Sequence, residues 1–92
     1  MEFEWNTQKA ADNLRKHAVS FEEAVTIFHD VLSYTYYDRE HSHDEQRYVT
    51  IGVSAQGRLL VVAHTIKGEQ IRIISARAAT RREKTAYEKE NG

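Results

Sequence analysis

Residues 47–77 read RYVTIGVSAQGRLLVVAHTIKGEQIRIISAR, and the fold turns on how this stretch is read. Three runs rich in Val, Ile and Leu are separated by Ala55-Gln56-Gly57 and Lys67-Gly68. Short glycine-bearing turns between aliphatic runs are the signature of an antiparallel meander. Cations interrupt the runs: Arg47 opens the first, Arg58 and His64 lie in the second, Arg72 sits inside the third and Arg77 at its exit. With side chains alternating along a strand, Arg58, Leu60, Val62 and His64 share one face of the second strand. By the same rule Arg72, Ile74 and Ala76 share one face of the third. A sheet that carries cations among its aliphatic residues either leads them to an edge or presents them to an anion.

Outward from this stretch the chain supplies supporting elements. Phe3-Glu4-Trp5 is a short aromatic strand. Asn6 is a good N-cap for a helix reaching about His17, with Ala10, Leu14 and His17 or Ala18 on its inward stripe. Ser20-Phe21-Glu22-Glu23 is a capping box that opens a second helix, and Phe21, Ala24, Val25 and Phe28 line one of its faces. Leu32–Tyr37 alternates as a strand, and 38–46 is a polar loop. Thr80-Arg81-Arg82-Glu83 is a second capping box, starting a basic helix to about Glu90 that docks through Ala79, Ala86 and Tyr87. The order is β-α-α-β-β-β-β-α, an α+β domain spanning 1–92. The expected core is Val49, Ile51, Val53, Leu60, Val62, Ile71 and Ile73, with the helix pair on one face. The phase is the difficult point, because 58–63 and 71–74 are nearly continuous aliphatic runs.

Composition narrows the function. The 92 residues contain no cysteine, which removes disulfides, thiolate metal sites and cysteine nucleophiles. The longest apolar run, Leu59–Ala63, is far too short to span a bilayer, and the acidic start MEFEWN lacks a signal peptide's hydrophobic region. A cytoplasmic protein is expected. The net charge of -1 hides an asymmetry: residues 1–46 hold four Lys/Arg against ten Asp/Glu, whereas 47–92 hold nine against four. The C-terminal half alone has the charge to attract nucleic acid. Such asymmetry also arises as ordinary solvated surface.

FEWN with KAADNLRKHAVSFEEA, then Asp38…His41…Glu45-Gln46-Arg47, then IGVS-x-x-GRLLVVAHT, IRIISARAATRRE and Tyr87-Glu88 occur in the order found in one family. On these segments, which cover nearly the whole chain, the sequence resembles the BrnT toxins of bacterial type II toxin–antitoxin pairs. The family usually has Asp at the position of Asn6 and Gly at that of Ala18, so the first helix here lacks its glycine C-cap. The resemblance implies a RelE-like fold and a ribonuclease that inhibits translation by cleaving RNA. It also implies a BrnA-type antitoxin with a ribbon-helix-helix DNA-binding part, which brings the toxin to operator DNA. No cofactor and no membrane partner are implied.

RNA cleavage without a metal needs a base for the 2′-OH, cations for the charge on the phosphorane, and an acid for the leaving 5′-oxygen. Arginine suits the second task, because its planar fork binds two phosphate oxygens and stays charged. Arg47, Arg72 and Arg77 lie at the start, middle and exit of neighbouring strands and are candidates to converge on one phosphate. Glu45 or His41 is the candidate base and His64 or His41 the candidate acid, while Arg58, Arg81 and Arg82 are candidates for holding substrate. Each has a structural alternative. Arg47 and Arg77 can pair with Glu45 and Glu83 to close strand ends, and His64 can be a satisfied core histidine. His41-x-His43-Asp44-Glu45 offers metal-ligand types at close spacing, but on a loop without a distant ligand pair. Tyr34, Tyr36, Tyr37 and Tyr48 can stack on bases or simply pack. Two other functions fit the sequence: a non-catalytic module that only engages the antitoxin or RNA, and a small RNA-binding accessory domain. An antitoxin is expected to cover the surface around Arg47, Arg72 and Arg77.

Overall fold

The computed structural model describes residues 1–91. Five strands, β1 Glu2–Glu4, β2 Tyr34–Tyr37, β3 Tyr48–Val53, β4 Leu59–Lys67 and β5 Gln70–Ala78, form one sheet in the order β1-β5-β4-β3-β2. All neighbours are antiparallel except β1, which runs parallel to β5. Helices α1 Thr7–His17 and α2 Phe21–Val25, with a 3-10 turn at Thr26–His29, lie between β1 and β2, and α3 Arg81–Asn91 follows β5. The expected α+β order is the one observed. Gly57 and Gly68 take φ of 81° and 61° in the two meander turns, which is why glycine stands there.

The caps form where the sequence places them, with one difference. Asn6 accepts a hydrogen bond from the Lys9 amide at 3.0 Å, and Ser20 accepts from the Glu23 amide at 3.0 Å. The Glu23 carboxylate does not return to Ser20. It is buried and bonds Arg58 and the Ser54 hydroxyl instead, so this capping box is only half closed. Ala18 ends α1 in the left-handed region at φ 57°, where an L side chain is strained. Asn13 then staples α1 to the sheet: its amide donates to the carbonyls of Val19 and Ala76 and accepts from the Ala76 amide.

The sheet is apolar on both faces, which corrects the expected strand phase. Val19, Phe21, Ala24 and Ile27 pack on Leu60, Val62, Ile71, Ile73 and Ala76. Val49 and Ile51 are buried on the other face, with Val61 and with Tyr87 of α3. Val53, expected in the core, is 37% exposed. It is Thr50 and Gly52 that turn toward the helix pair, opposite Val62 and Leu60. A Cβ on Gly52 would sit 2.8 Å from Ser33 Cβ and 3.1 Å from the Ile27 carbonyl oxygen, so the 3-10 turn packs directly on bare backbone. Aliphatic residues on both faces left the pattern without a single inward phase.

A second correction lies in β5. The β4–β5 register shifts between Ala63 and His64, which pair with Ser75 and Ile73 and leave Ile74 unmatched. This bulge reverses the alternation. Arg72 and Ala76, expected on one face, lie on opposite ones, since Ala76 joins the helix-side core while Arg72 neighbours Thr65 and Glu4 on the other side. Arg72 and Arg77, five positions apart, share a face because of the bulge.

Candidate active site

The polar loop between β2 and β3 is closed by Ser42. Its hydroxyl donates to the Asp38 carbonyl at 2.5 Å and accepts from the Arg47 amide at 3.0 Å, while the Asp38 amide donates to the Arg47 carbonyl at 2.9 Å. A loop clasped at both feet can hold side chains at its rim. It carries His41, His43, Glu45 and Arg47, which with Asp44 line a cleft of about 210 Å³. Glu45 also belongs to a larger neighbouring cleft with Arg72, Thr65, Gln70 and Glu4.

Glu45 gathers the cations. One oxygen accepts from Arg72 at 2.5 Å and the other lies 3.8 Å from Arg47. The hydrogen bond from Arg72 holds the Glu45 carboxyl below its ordinary range, with the charges of Arg72, Arg47 and Lys9 adding to it. A carboxylate held this way is a poor base, and its position suits it to aligning two guanidinium groups. Arg47 makes no side-chain hydrogen bond among the described residues, and its Nε is buried without a partner. Its terminal nitrogens, which face Glu45 at the rim, are the donors an anion can reach.

His41 is fixed by Asp38, which the sequence reading quoted beside it without assigning it a role. Both Asp38 carboxylate oxygens approach His41 Nδ1, at 2.9 and 3.1 Å. A carboxylate on Nδ1 selects the tautomer with the proton there and leaves Nε2 as an acceptor. The side chain stays open to solvent.

The other candidates lie elsewhere. His64 is fully buried on the helix side of the sheet, between Phe28 and Tyr48, with Nε2 2.7 Å from the Thr50 hydroxyl. Burial pushes its pKa down and keeps the ring neutral. A group with no exposed surface has no path to a leaving oxygen. Arg58 binds the Glu23 carboxylate and the Ala18 carbonyl, which ties β4 to the α1–α2 turn and occupies the fork offered to substrate. Arg77 is held in the same way by Glu83, whose two oxygens accept at 2.7 and 2.8 Å. Glu83 also accepts from the Thr80 amide and donates its own amide to the Thr80 hydroxyl, completing the second capping box. The Arg77 hydrogen bonds, outweighing burial, pull its carboxyl down to about 2. Arg81 and Arg82 lie with Thr85, Ala86 and Lys89 on the exposed side of α3. Tyr34 and Tyr87 lie nearly parallel with ring centroids 6.3 Å apart, whereas Tyr36 is 46% exposed and feels both Glu83 and Arg77. The structure thus brings together His41, Glu45, Arg47 and Arg72, and separates Arg77, Arg58 and His64 from them. Among the described residues no three His, Asp or Glu side chains gather as metal ligands. None of the helices among them is long and apolar enough to cross a membrane.

A family model described as the ribonuclease toxin BrnT of type II toxin–antitoxin systems matches residues 5–83, a span that includes the clasped loop, the meander with Arg72 and Arg77, and the second capping box. The chain belongs to the BrnT family. The sequence matches no curated protein. Among solved structures, the fold is similar to that of the Brucella abortus ribonuclease toxin BrnT, with a TM-score of 0.68 at 19% identity, covering 88% of this chain and 99% of that one. At that identity the likeness speaks for the BrnT fold and not for individual residues. Membership makes the chain one of a family of ribonuclease toxins that act within type II pairs, for which an antitoxin is the partner.

Proposed function

We propose that this BrnT-family chain is a metal-independent endoribonuclease that stops translation by cutting cytoplasmic RNA, and that Arg47, Arg72, Glu45 and His41 form its working cleft. The observation that carries this reading is the convergence of Arg72 and Arg47 on Glu45 beside an imidazole. Two guanidinium groups aligned by one carboxylate present donors to the non-bridging oxygens of a phosphodiester, and they bind a doubly charged phosphorane more strongly than the ground state. When the scissile phosphate arrives it replaces Glu45 as the anion on the forks. His41 Nε2, the free acceptor of a ring anchored through Nδ1, takes the 2′-OH proton. The 2′-oxygen bonds to phosphorus, the P–O5′ bond breaks, and a 2′,3′-cyclic phosphate and a 5′-hydroxyl result. Glu45 is given the aligning role, as the anion that holds both forks in place before the phosphate arrives.

The partner in this reading is a BrnA-type antitoxin with a ribbon-helix-helix part. It neutralises the toxin by covering the cleft, and operator DNA is reached only through it. Induced expression of the chain alone, with RNA integrity and translation followed in time, tests the reading. Growth arrest with fragmented RNA is expected, as is cleavage by purified protein that persists in excess EDTA. Arrest without RNA fragmentation would favour the non-catalytic module.

A further inference from the structure

Burial of His64 leaves the ribonuclease reading with a base and no acid. The clasped loop supplies a second imidazole, because His43 lines the same cleft as His41, Glu45 and Arg47. We infer that His41 and His43 are a paired base and acid, with Asp38 as the positioning residue that assigns the base role to His41. The inference rests on the ribonuclease reading and names the remaining proton donor of that same site.

Two features of the loop support the division of labour. Only His41 has a carboxylate on its Nδ1, which in the neutral ring holds the proton there and turns Nε2 into the acceptor. His43 has no such anchor among the described residues, and the acids sharing its cleft are Asp44 and Glu45. Both histidines are exposed, as groups that exchange protons with RNA and water must be. The charged and titratable groups around the pair include Asp38, Asp44, Glu45 and Arg47, with Arg72 joined to them through Glu45. In the reaction His41 Nε2 accepts the 2′-OH proton as the 2′-oxygen attacks. The His43 imidazolium gives its proton to the 5′-oxygen as the P–O5′ bond breaks. One proton is taken and one is given, so the net charge of the site is unchanged, and exchange with water restores both rings. General acid–base groups of this kind contribute roughly a hundredfold to ten-thousandfold each.

The test is single-turnover cleavage of an RNA whose cut site has been mapped, made with either oxygen or sulfur at the bridging 5′ position. A thiolate leaves without a proton, so a variant lacking only the acid recovers on the sulfur substrate. His41→Gln and His43→Gln are each expected to lose a hundredfold or more on the oxygen substrate with unchanged melting temperature. On the sulfur substrate His43→Gln is expected to come within about tenfold of wild type, while His41→Gln stays slow. Asp38→Asn is expected to lower the rate about tenfold or more at unchanged KM, to do nothing further in the His41→Gln background, and to abolish the preference for the Nδ1–H tautomer in ¹⁵N spectra of His41. His43→Gln cleaving the oxygen substrate normally, or remaining equally slow on sulfur, overturns the acid assignment. Additive losses from Asp38→Asn and His41→Gln overturn the positioning role. Wild-type protein that cleaves neither substrate overturns the ribonuclease reading itself.

Discussion

Arg77 shows how one residue's environment decides between chemistry and architecture. Its position at the exit of β5 made it a candidate phosphate ligand. Both of its terminal nitrogens are given to Glu83, and Glu83 also closes the cap of α3. We expect Arg77→Ala to cost about 1 kcal/mol, screened as a partly exposed pair is, or roughly 4–8 °C in melting temperature. RNA cleavage per folded molecule should change far less than for Arg72→Ala. Melting and cleavage measured on one sample of the variant check this, and a hundredfold loss of turnover without destabilisation would return Arg77 to the catalytic set. The ion-pair alternatives for Arg47 and Arg77 were legible from Glu45 and Glu83 nearby in sequence. Arg58 was not, because its partner Glu23 lies 35 residues away in a capping box that promised a different bond.

At the scale of elements, the meander, the helix pair and all three helix starts were legible because each rests on local chemistry: turn glycines, an Asn cap and two S/T-x-x-E boxes. The facing of the strands was not, since α3 and Tyr34 give the outer face of the sheet an apolar lining of its own. Nor was the bulge at Ile74, which no glycine announces in a run of aliphatic residues. It has functional weight, because it turns Arg72 toward Glu45. The phase of β3 can be checked at Gly52, where the 3-10 turn leaves no room for a side chain. Gly52→Ala is expected to destabilise the fold by about 1–3 kcal/mol through overpacking, measured by urea unfolding. With the opposite phase Gly52 would have faced away from the helix pair, and alanine would have been tolerated. The clasp that presents His41 and the Asp38 contact is made within the loop, at separations of three to five residues, but by a conformation that no turn or cap signal announces. Sequence spacing alone suggested metal-ligand types there.

For the molecule as a whole, His64 and the carboxylates held by partners, Glu83 foremost, give stability a pH dependence in separate windows. His64 is held neutral by burial, so its folded pKa lies below the ordinary 6.5. The unfolded chain takes up that proton first as pH falls, and stability declines below about 6.5 until the folded pKa is reached. Glu83 is held at about 2 against an ordinary 4.5. Its contribution is present above about 4.5 and is lost as pH falls toward 2, amounting to roughly 1 kcal/mol after solvent screening. Urea unfolding from pH 8 to 3 should show both declines. His64→Leu should flatten the upper one and Glu83→Gln should reduce the lower by its own share, with Glu23 and Asp30 supplying the rest, and a profile unchanged by either variant would assign the dependence to other groups.

The acidic N-terminal half and basic C-terminal half meet at the cleft, where Glu45 from the first holds Arg47 and Arg72 from the second. If that meeting point is where RNA is cut, Arg72 is the residue whose removal should be felt most in the reaction and least in the fold, because its hydrogen bond to Glu45 lies at an exposed rim. The decisive measurement is the rate of RNA cleavage by purified Arg72→Ala beside wild type, with melting temperature recorded on the same preparations. Loss of one phosphorane contact predicts a fall of roughly a hundredfold or more. Arg72→Lys should recover only part of it, since an ammonium lacks the bidentate fork. The melting temperature should move by no more than about 2–3 °C. Wild-type cleavage by a well-folded Arg72→Ala protein would contradict the account and place the ribonuclease site elsewhere on the sheet.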